Sequence, residues 1–423
     1  MKYTRLSRFT LAASLITLLL AAWPGGPPLA QAVRPPQARG DTSQAKPVQL
    51  AMAVQGDIYV LLVSGGLRRL TGGGNASRPV LSPDGRWVAY LVSPHKSPIG
   101  VAGPYAVWIV PTSGTSKVGP RRISDTRLGT DDYMVSWSPD SHVLAYFEGT
   151  DIVLRSITGT DAQTVLQPLT GFTFITTLSW SPSGGQFVVP LRQLGLGASQ
   201  ASPPLLQAAV YDRSAHHWTP ITAHFASGAL GQWPGGNTRS DAGGDISWAP
   251  DGQGFLFGTG LAGAGPIRLS GIWQVGLHGG LSHLVMGTPA GVRLGTVPTS
   301  SPLFMATHWT FSPNQRLIAS DPDRRLWVGT IAGKDGRFLS VSRPHECARV
   351  FCDCTTAQDQ WLRDGTGLAY LRECVVSSTV MVRSTLFRWT FKSTAPRIVL
   401  QRISQDQSVI DIGGAYRCVL CGY

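Results

Sequence analysis

The sequence predicts an all-β fold, a β-propeller built of four-stranded antiparallel blades. Three observations carry that expectation. A strand–turn–strand phrase recurs six times along the 423 residues. Further short apolar stretches and a Gly-rich turn follow the copies, so the strands come in groups of four, the unit of a propeller blade. The composition, with 49 Gly and 30 Pro beside 43% hydrophobic residues, supplies many tight turns and enough apolar side chain for a continuous core. Only 14% of residues are charged, which excludes a solvated, disordered chain.

The chain opens with Lys2, Arg5 and Arg8, followed by an apolar run at 9–23 (FTLAASLITLLLAAW), the breakers PGGPP and Ala30-Gln31-Ala32. A positive segment, a short apolar core and an A-x-A site are the three parts of an export signal. The apolar run has 15 residues, fewer than the roughly 20 that a spanning helix needs. We therefore expect a signal peptide at 1–32, with a retained anchor as the alternative, and a flexible Pro-rich leader at 33–47. The folded domain is expected at 48–423. Such a chain is extracytoplasmic, whether periplasmic, at the cell surface or secreted, with no membrane span after cleavage.

The repeated phrase stands at 79–92 (PVLSPDGRWVAYLV), 135–147 (VSWSPDSHVLAYF), 178–191 (LSWSPSGGQFVVPL), 246–258 (ISWAPDGQGFLFG), 308–320 (HWTFSPNQRLIAS) and 359–372 (DQWLRDGTGLAYLR). Physically it is a hairpin. A short strand ends in an aromatic or apolar residue, and Ser-Pro-Asp-Gly then turns the chain. Proline presets φ, Asp bonds the backbone, and Gly takes the left-handed conformation. The turn residues are Asp84, Gly85, Asp140, Asp251, Gly252, Asp364 and Gly365. Two copies lack the Asp of the pattern. Ser183-Gly184 lacks the Asp, and Ser312-Pro313-Asn314-Gln315 lacks both Asp and Gly, so those two blades are expected to be less regular.

Third strands follow at 105–111, 151–156, 271–276, 325–330 and 386–391, and a fourth strand such as 121–124 closes the unit. The segment 51–71 reads as the last strands of a blade without a first, and 408–413 and 416–421 read as leftover strand. Pairing the N- and C-terminal strands would close the ring and remove its open edges. This gives seven blades, with six as the alternative.

SPDGRWVAY, WSPDSHVLAY and DIYVLLVSGGLRRLT resemble the TolB-type propeller repeat, which is related to WD-repeats but lacks their Trp-Asp dipeptide. The resemblance runs from residue 48 to the C-terminus. It implies a propeller and an extracytoplasmic binding role. TolB-like proteins include a periplasmic partner of the envelope-constricting Tol–Pal system. No amino-terminal TolB domain is recognisable here, so that particular partnership is not implied.

In a propeller, the first-to-second and third-to-fourth turns lie on one face. Here they are all tight: the Ser-Pro-Asp-Gly set, Ser64-Gly65-Gly66, Ser113-Gly114, Gly159-Thr160 and Gly279-Gly280. The long insertions, 93–104, 192–204, 223–245, 287–306 and 342–358, all fall on the other face. Long loops on a rigid scaffold are where binding resides. His216, His217, Trp218, His224, Trp233 and Arg239, in or near these loops, are the candidate partner contacts. The bland alternatives are packing between strands or blades for Trp218 and a Trp233 that pins its own loop.

Cys347, Cys352, Cys354, Cys374, Cys418 and Cys421 all fall after residue 346. An even count in an exported chain points to disulfides, whose pairing spacing alone leaves open. Zinc held by Cys352, Cys354, Cys418 and Cys421, with His345 as an extra ligand, is the alternative; the spacing is not a pair of C-x-x-C knuckles.

No nucleophile elbow, H-E-x-x-H, P-loop or dinucleotide fingerprint occurs. No catalytic residue, cofactor or metal is assigned. Asp84, Asp140, Asp251 and Asp364 recur at one motif position, which marks a turn role. Asp131-Asp132 and Asp321-Pro322-Asp323 read as turn or surface residues, with a cation site as the alternative. The net charge is +12, but the basic residues are scattered, so no nucleic-acid partner is expected. The expected function is a non-catalytic scaffold binding an envelope or extracellular protein, peptide or polymer through the long-loop face or central channel. The alternative is a propeller hydrolase or lyase acting on glycans, recognised by two carboxylates about 5 to 10 Å apart.

Overall fold

The computed structural model describes residues 47–412, apart from 95–104, 114–117, 125–133, 158–162, 176, 195–204, 225–245, 260–270, 282, 288–308, 314–316, 321–325, 331–336, 340–351, 377–380, 394 and 406–409. The expected signal peptide (1–32), nearly all of the leader and the strand at 416–421 lie outside the described residues. The compact unit that holds the strands is Lys46–Tyr423.

The described residues form seven sheets and no helix. The first sheet has the order β3-β2-β1-β30: β1 (Val48–Val54), β2 (Asp57–Leu62) and β3 (Leu67–Arg69) join β30 (Ile410–Asp411). The next is β4 (Ala76–Leu81), β5 (Trp87–Val92), β6 (Ala106–Pro111) and β7 (Arg121–Arg122). Then come β8 (Val135–Trp137), β9 (Val143–Glu148), β10 (Asp151–Ser156) and β11 (Gln163–Leu166). In the fourth sheet β12 (Phe172–Phe174) and β13 (Ser179–Trp180) share the inner edge of β14 (Gln186–Gln193), followed by β15 (Leu205–Asp212) and β16 (His217–His224).

The fifth sheet holds β17 (Ile246–Trp248), β18 (Gly254–Thr259), β19 (Gly271–Gly276) and β21 (His283–Gly287), while β20 (Gly280–Leu281) pairs in parallel with β16. The sixth is β22 (Trp309–Phe311), β23 (Leu317–Ser320), β24 (Trp327–Thr330) and β25 (Arg337–Phe338). The seventh is β26 (Cys352–Trp361), β27 (Gly367–Val376), β28 (Met381–Thr390) and β29 (Arg397–Gln405). Apart from the β16–β20 contact, neighbours within each sheet run antiparallel, and except for β30–β1, β12–β14 and β19–β21 each lies next to its sequence neighbour, as in a meander.

The sheets pack face to face because each strand sends alternate side chains to opposite sides. In β9, Val143, Ala145 and Phe147 meet the fourth sheet, whereas Leu144 and Tyr146 meet the second. Both faces are covered, so such strands read as continuous apolar runs, here VLAYF. Six core clusters each join two successive sheets. The links run unbroken from the sixth sheet through the seventh, the first and onward to the fifth. That succession of packed antiparallel sheets is the architecture of a β-propeller.

The closing sheet is built from both ends of the chain, as 51–71 and 408–413 predict. Ala53 pairs with Asp411 and Val54 with Ile410. Ile410 and Ile412 pack with Leu50, Met52 and Leu61, and this group also takes Leu362, Leu371 and Leu386 of the seventh sheet. The Asp411 carboxylate accepts the Arg78 N–H at 2.6 Å, at a bulge of β4 where Arg78 has φ +49°.

Strand length differs around the ring. β26 to β29 have nine or ten residues and β14 to β16 have eight, against two to seven elsewhere. The hairpin turns at 181–186 and 362–367 align with the others at one end, so the extra length rises from the opposite face. For the seventh sheet the rise over a six-residue strand is roughly 13 Å. β28 therefore begins at Met381, five residues before its expected start at 386, and β26 occupies much of the expected loop at 342–358.

Candidate functional site

The repeated turns define one face. In the first copy, Ser82 Oγ donates to Asp84 Oδ1 at 2.6 Å, and the same carboxylate oxygen accepts the Arg86 N–H at 3.0 Å. Ser82 Oγ in turn accepts the Trp87 N–H at 2.9 Å, and Gly85 takes φ +74°. The second copy repeats the pattern: Ser138 Oγ donates to Asp140 Oδ1, which also accepts the His142 N–H at 2.9 Å. Asp251 accepts the Gln253 N–H at 2.9 Å, and Gly252 has φ +71°. Asp364 accepts the N–H and hydroxyl of Thr366 at 3.0 and 2.7 Å, beside Gly365 at φ +67°. Each of these aspartates bonds within its own turn.

The copy without an Asp forms its turn like the others, while its sheet is the irregular one, with β12 and β13 sharing one edge and β20 added in parallel. Ser183 Oγ takes the place of the carboxylate, 3.1 Å from Ser181 Oγ and accepting the Gly185 N–H at 3.3 Å. A hydroxyl accepts the same bond more weakly. The turn residues 314–316 of the fifth copy lie outside the described residues.

Burial raises the Asp140 pKa, but the Ser138 hydroxyl, the His142 N–H and the charges of His142 and Arg213 outweigh it, leaving the carboxyl below its ordinary value. Asp364 behaves alike: burial raises it, and the Thr366 bonds, the Gln49 amide and the Arg388 charge bring it below.

The expected partner contacts do not gather on one face. His216 and His217 sit at the β15–β16 turn, beside Asp212 and its strand partner Gln186, which places them on the tight-turn face. Asp212 organises this turn, accepting from Ser214 Oγ at 2.6 Å, from the Ala215 N–H at 3.0 Å and from Gln186 Nε2 at 2.9 Å. These bonds, the Ser214 hydroxyl foremost, hold its carboxyl well below the usual range. Tyr211 Oη lies 3.3 Å from His216 Nδ1. Trp218 is a packing residue and no free anchor: its ring lies 4.9 Å from Tyr211, 5.3 Å from Phe174 and 5.7 Å from Phe187. Its apolar neighbours leave it half-buried against the cluster between the third and fourth sheets. His224 ends β16 at the opposite face, its backbone in register with Leu205 and Leu281. Trp233 and Arg239 lie outside the described residues.

Cys374 is buried and disulfide-bonded, and the backbone register sets Cys354 directly across from it. Cys352 lies on β26; Cys347, Cys418 and Cys421 are outside the described residues. Next to Cys374, the buried Ser384 hydroxyl donates to the buried Glu373 carboxylate at 3.2 Å. Sequence reasoning missed these raised strands. Their signal was weak, since CDCTTAQ at 352–358 lacks the apolar alternation of a strand. Among the described residues no group of three or more His, Cys, Asp or Glu is placed to hold a metal ion.

No family model matches the sequence, and no curated protein matches it. Solved structures with a similar fold include an acylaminoacyl peptidase complexed with a chloromethyl ketone (12% identity, TM-score 0.46, 81% of this chain and 48% of that one). An oligogalacturonate lyase in complex with manganese is similar at 12% identity and TM-score 0.40, over 79% of this chain and 98% of that one. A protein assigned as TolB from Agrobacterium tumefaciens is similar at 12% identity and TM-score 0.37, over 84% and 89%. At these values the likeness concerns the fold alone and passes on no activity. The class that the topology defines is a β-propeller.

Proposed function

We propose that the protein is an exported, non-catalytic propeller scaffold that binds a protein, peptide or envelope polymer on the face opposite the Ser-Pro-Asp-Gly turns. The observation that carries this reading is the asymmetry between the faces. The turn face is short and satisfies its own polar groups. On the other face the fourth and seventh sheets rise above the rest, and the long sequence insertions fall there. Two sheets lie between the raised pair on one side and three on the other, so they stand across the ring and frame its mouth. The export signal expected at 1–32 sets the compartment, and the disulfide at Cys374 fits an oxidising one.

The test is a capture comparison. Protein lacking residues 1–32 is immobilised beside two variants, one with 225–245 and 288–308 replaced by short Gly-Ser turns, the other with His216, His217 and Arg86 changed to Ala. Native envelope extract is passed over all three, and bound proteins and glycans are identified by mass spectrometry. The reading expects a stoichiometric ligand that the loop variant loses and the turn-face variant keeps. Retention by the loop variant, or cleavage of a captured glycan, refutes it.

A further inference from the structure

The row of hairpin turns is interrupted at the closing sheet. At three junctions elsewhere neighbouring turns touch. Pro139 lies against Gly184 so closely that an added Cβ would sit 3.3 Å from its Cδ, and Pro313 Cδ is 3.9 Å from the equivalent point on Gly365. The Asp84 N–H donates across to Ser141 Oγ at 3.0 Å. In the closing sheet the first strand, β30, and the second, β1, come from opposite ends of the chain, so no hairpin turn joins them. A proline in the turn before this break would have no glycine to pack against.

At that position, and in no other copy of the phrase, the proline is replaced: Leu362-Arg363-Asp364-Gly365 stands where the first copy has Ser82-Pro83-Asp84-Gly85. Arg363 spans the gap. Its backbone N–H, which a proline would lack, donates to Gln49 O at 3.0 Å. Its Nε donates to Val48 O at 3.0 Å, and Nη1 reaches Pro83 O, in the turn beyond the break, at 3.4 Å. The guanidinium passes so close to Gly85 that a Cβ there would come within 2.8 Å of Nε. The Gln49 side chain returns the bond, its Nε2 donating to Asp364 Oδ2 at 2.7 Å. One side chain thus ties three sheets together where the covalent chain does not.

We propose that Arg363, with Gln49 and Asp364, is a latch that replaces the missing turn and holds the leading end of β1 in the ring. The β1–β30 pairing closes the sheet at the far end of β1; the latch closes it at the near end, where the chain enters the propeller. Opening the latch frees Val48–Met52 from the seventh sheet without disturbing the meanders that are continuous in sequence.

The test is amide hydrogen exchange on the full chain, read peptide by peptide, for the wild type, Arg363→Pro, Arg363→Ala and Gln49→Leu. Arg363→Pro restores the phrase but removes the bonds that Arg363 donates to Gln49, Val48 and Pro83. It is expected to speed exchange in β1 by about tenfold, the loss of one to two net hydrogen bonds, while β8 to β10 exchange as in the wild type. Arg363→Ala and Gln49→Leu keep the backbone N–H of residue 363 and are expected to give a smaller rise confined to the same strand. If Arg363→Pro does not fold, these two decide. Unchanged exchange in β1, or a rise of equal size in all sheets, overturns the latch.

Discussion

The closing sheet and the sheet of β8 to β11 do the same architectural work with different connectivity. The latter is one continuous stretch, its strands separated by at most six residues of sequence, so its pairing costs little loop-closure entropy. The closing sheet joins residue 54 to residue 410, and its ends are held by strand pairing and side-chain contacts with no connecting turn between them. What differs is the source of cohesion. In the meander it is local and covalent. In the closing sheet it is the apolar group around Met52 and Ile410, the Asp411–Arg78 bond and the contacts of Arg363.

The largest effect expected from this difference comes from deleting residues 406–423. The deletion removes Ile410 and Ile412, both buried, and leaves β1 as an open edge. Burial of two such side chains contributes roughly 3 to 6 kcal/mol, a large share of the stability of a domain. Urea unfolding should show the unfolding free energy falling by that amount, with a lower midpoint. A loss below about 1 kcal/mol would mean that the ring does not depend on its seam.

A second comparison uses two tryptophans at one repeat position. Trp361 Nε1 donates to Thr310 O in the preceding sheet at 3.1 Å, as Trp137 Nε1 does to Val80 O at 3.0 Å. Trp180 is buried to a similar degree, but its Nε1 has no partner among the described residues. Phenylalanine keeps most of the apolar contact and deletes the N–H. Trp361→Phe should therefore cost about 1 kcal/mol more than Trp180→Phe, measured by denaturant unfolding of both. Equal costs would show that the indole bond between sheets adds nothing to packing.

The fold was legible because the repeat is written in local chemistry. Each Ser-Pro-Asp-Gly phrase encodes its own turn, and apolar runs such as VLAYF announce strands covered on both sides. Even the pairing of the chain ends could be read, since 51–71 carries strands without a partner. The candidate contacts were less legible. Trp218 was judged by its neighbours in sequence, whereas its surroundings, Phe174, Phe187 and Tyr211, come from other strands. The raised strands escaped because polar β26 is held by the register of β27 rather than by its own pattern. Arg363 was visible as a departure from the motif, but its meaning needed the gap that only the ring displays.

The turns also separate by pH. Asp140 and Asp364 have folded pKa values below their ordinary ones. A group so shifted stabilises the fold above its unfolded pKa, and that stability is lost as pH falls through the folded value. Below the ordinary carboxylate range the hairpins at 138–143 and 362–367 should loosen. The hairpin at 181–186 uses Ser183 within its turn and meets a carboxylate only through Gln186, whose partner Asp212 is held well below the usual range, so it should respond less. Exchange or proteolysis profiles at pH 7 and pH 3 would show the contrast, and equal loosening in all three hairpins would remove the aspartates as its cause.

The smallest expected effect is at Ser141, which stands where other copies have Gly. It adopts φ +64°, a left-handed conformation that costs a non-glycine residue about 1 kcal/mol. Its hydroxyl meanwhile accepts the Asp84 N–H of the neighbouring sheet at 3.0 Å, a bond that contributes about 1 kcal/mol net. Ser141→Gly relieves the first and loses the second, so stability should stay within about 0.5 kcal/mol of the wild type. The sign of any larger change is informative. Destabilisation would mean that turn-to-turn contacts hold the ring together, which strengthens the case that their absence at the seam must be made good by Arg363. Stabilisation would mean that the turns act as independent hairpins, and that the circle they form is a consequence of blade packing rather than a cause of it.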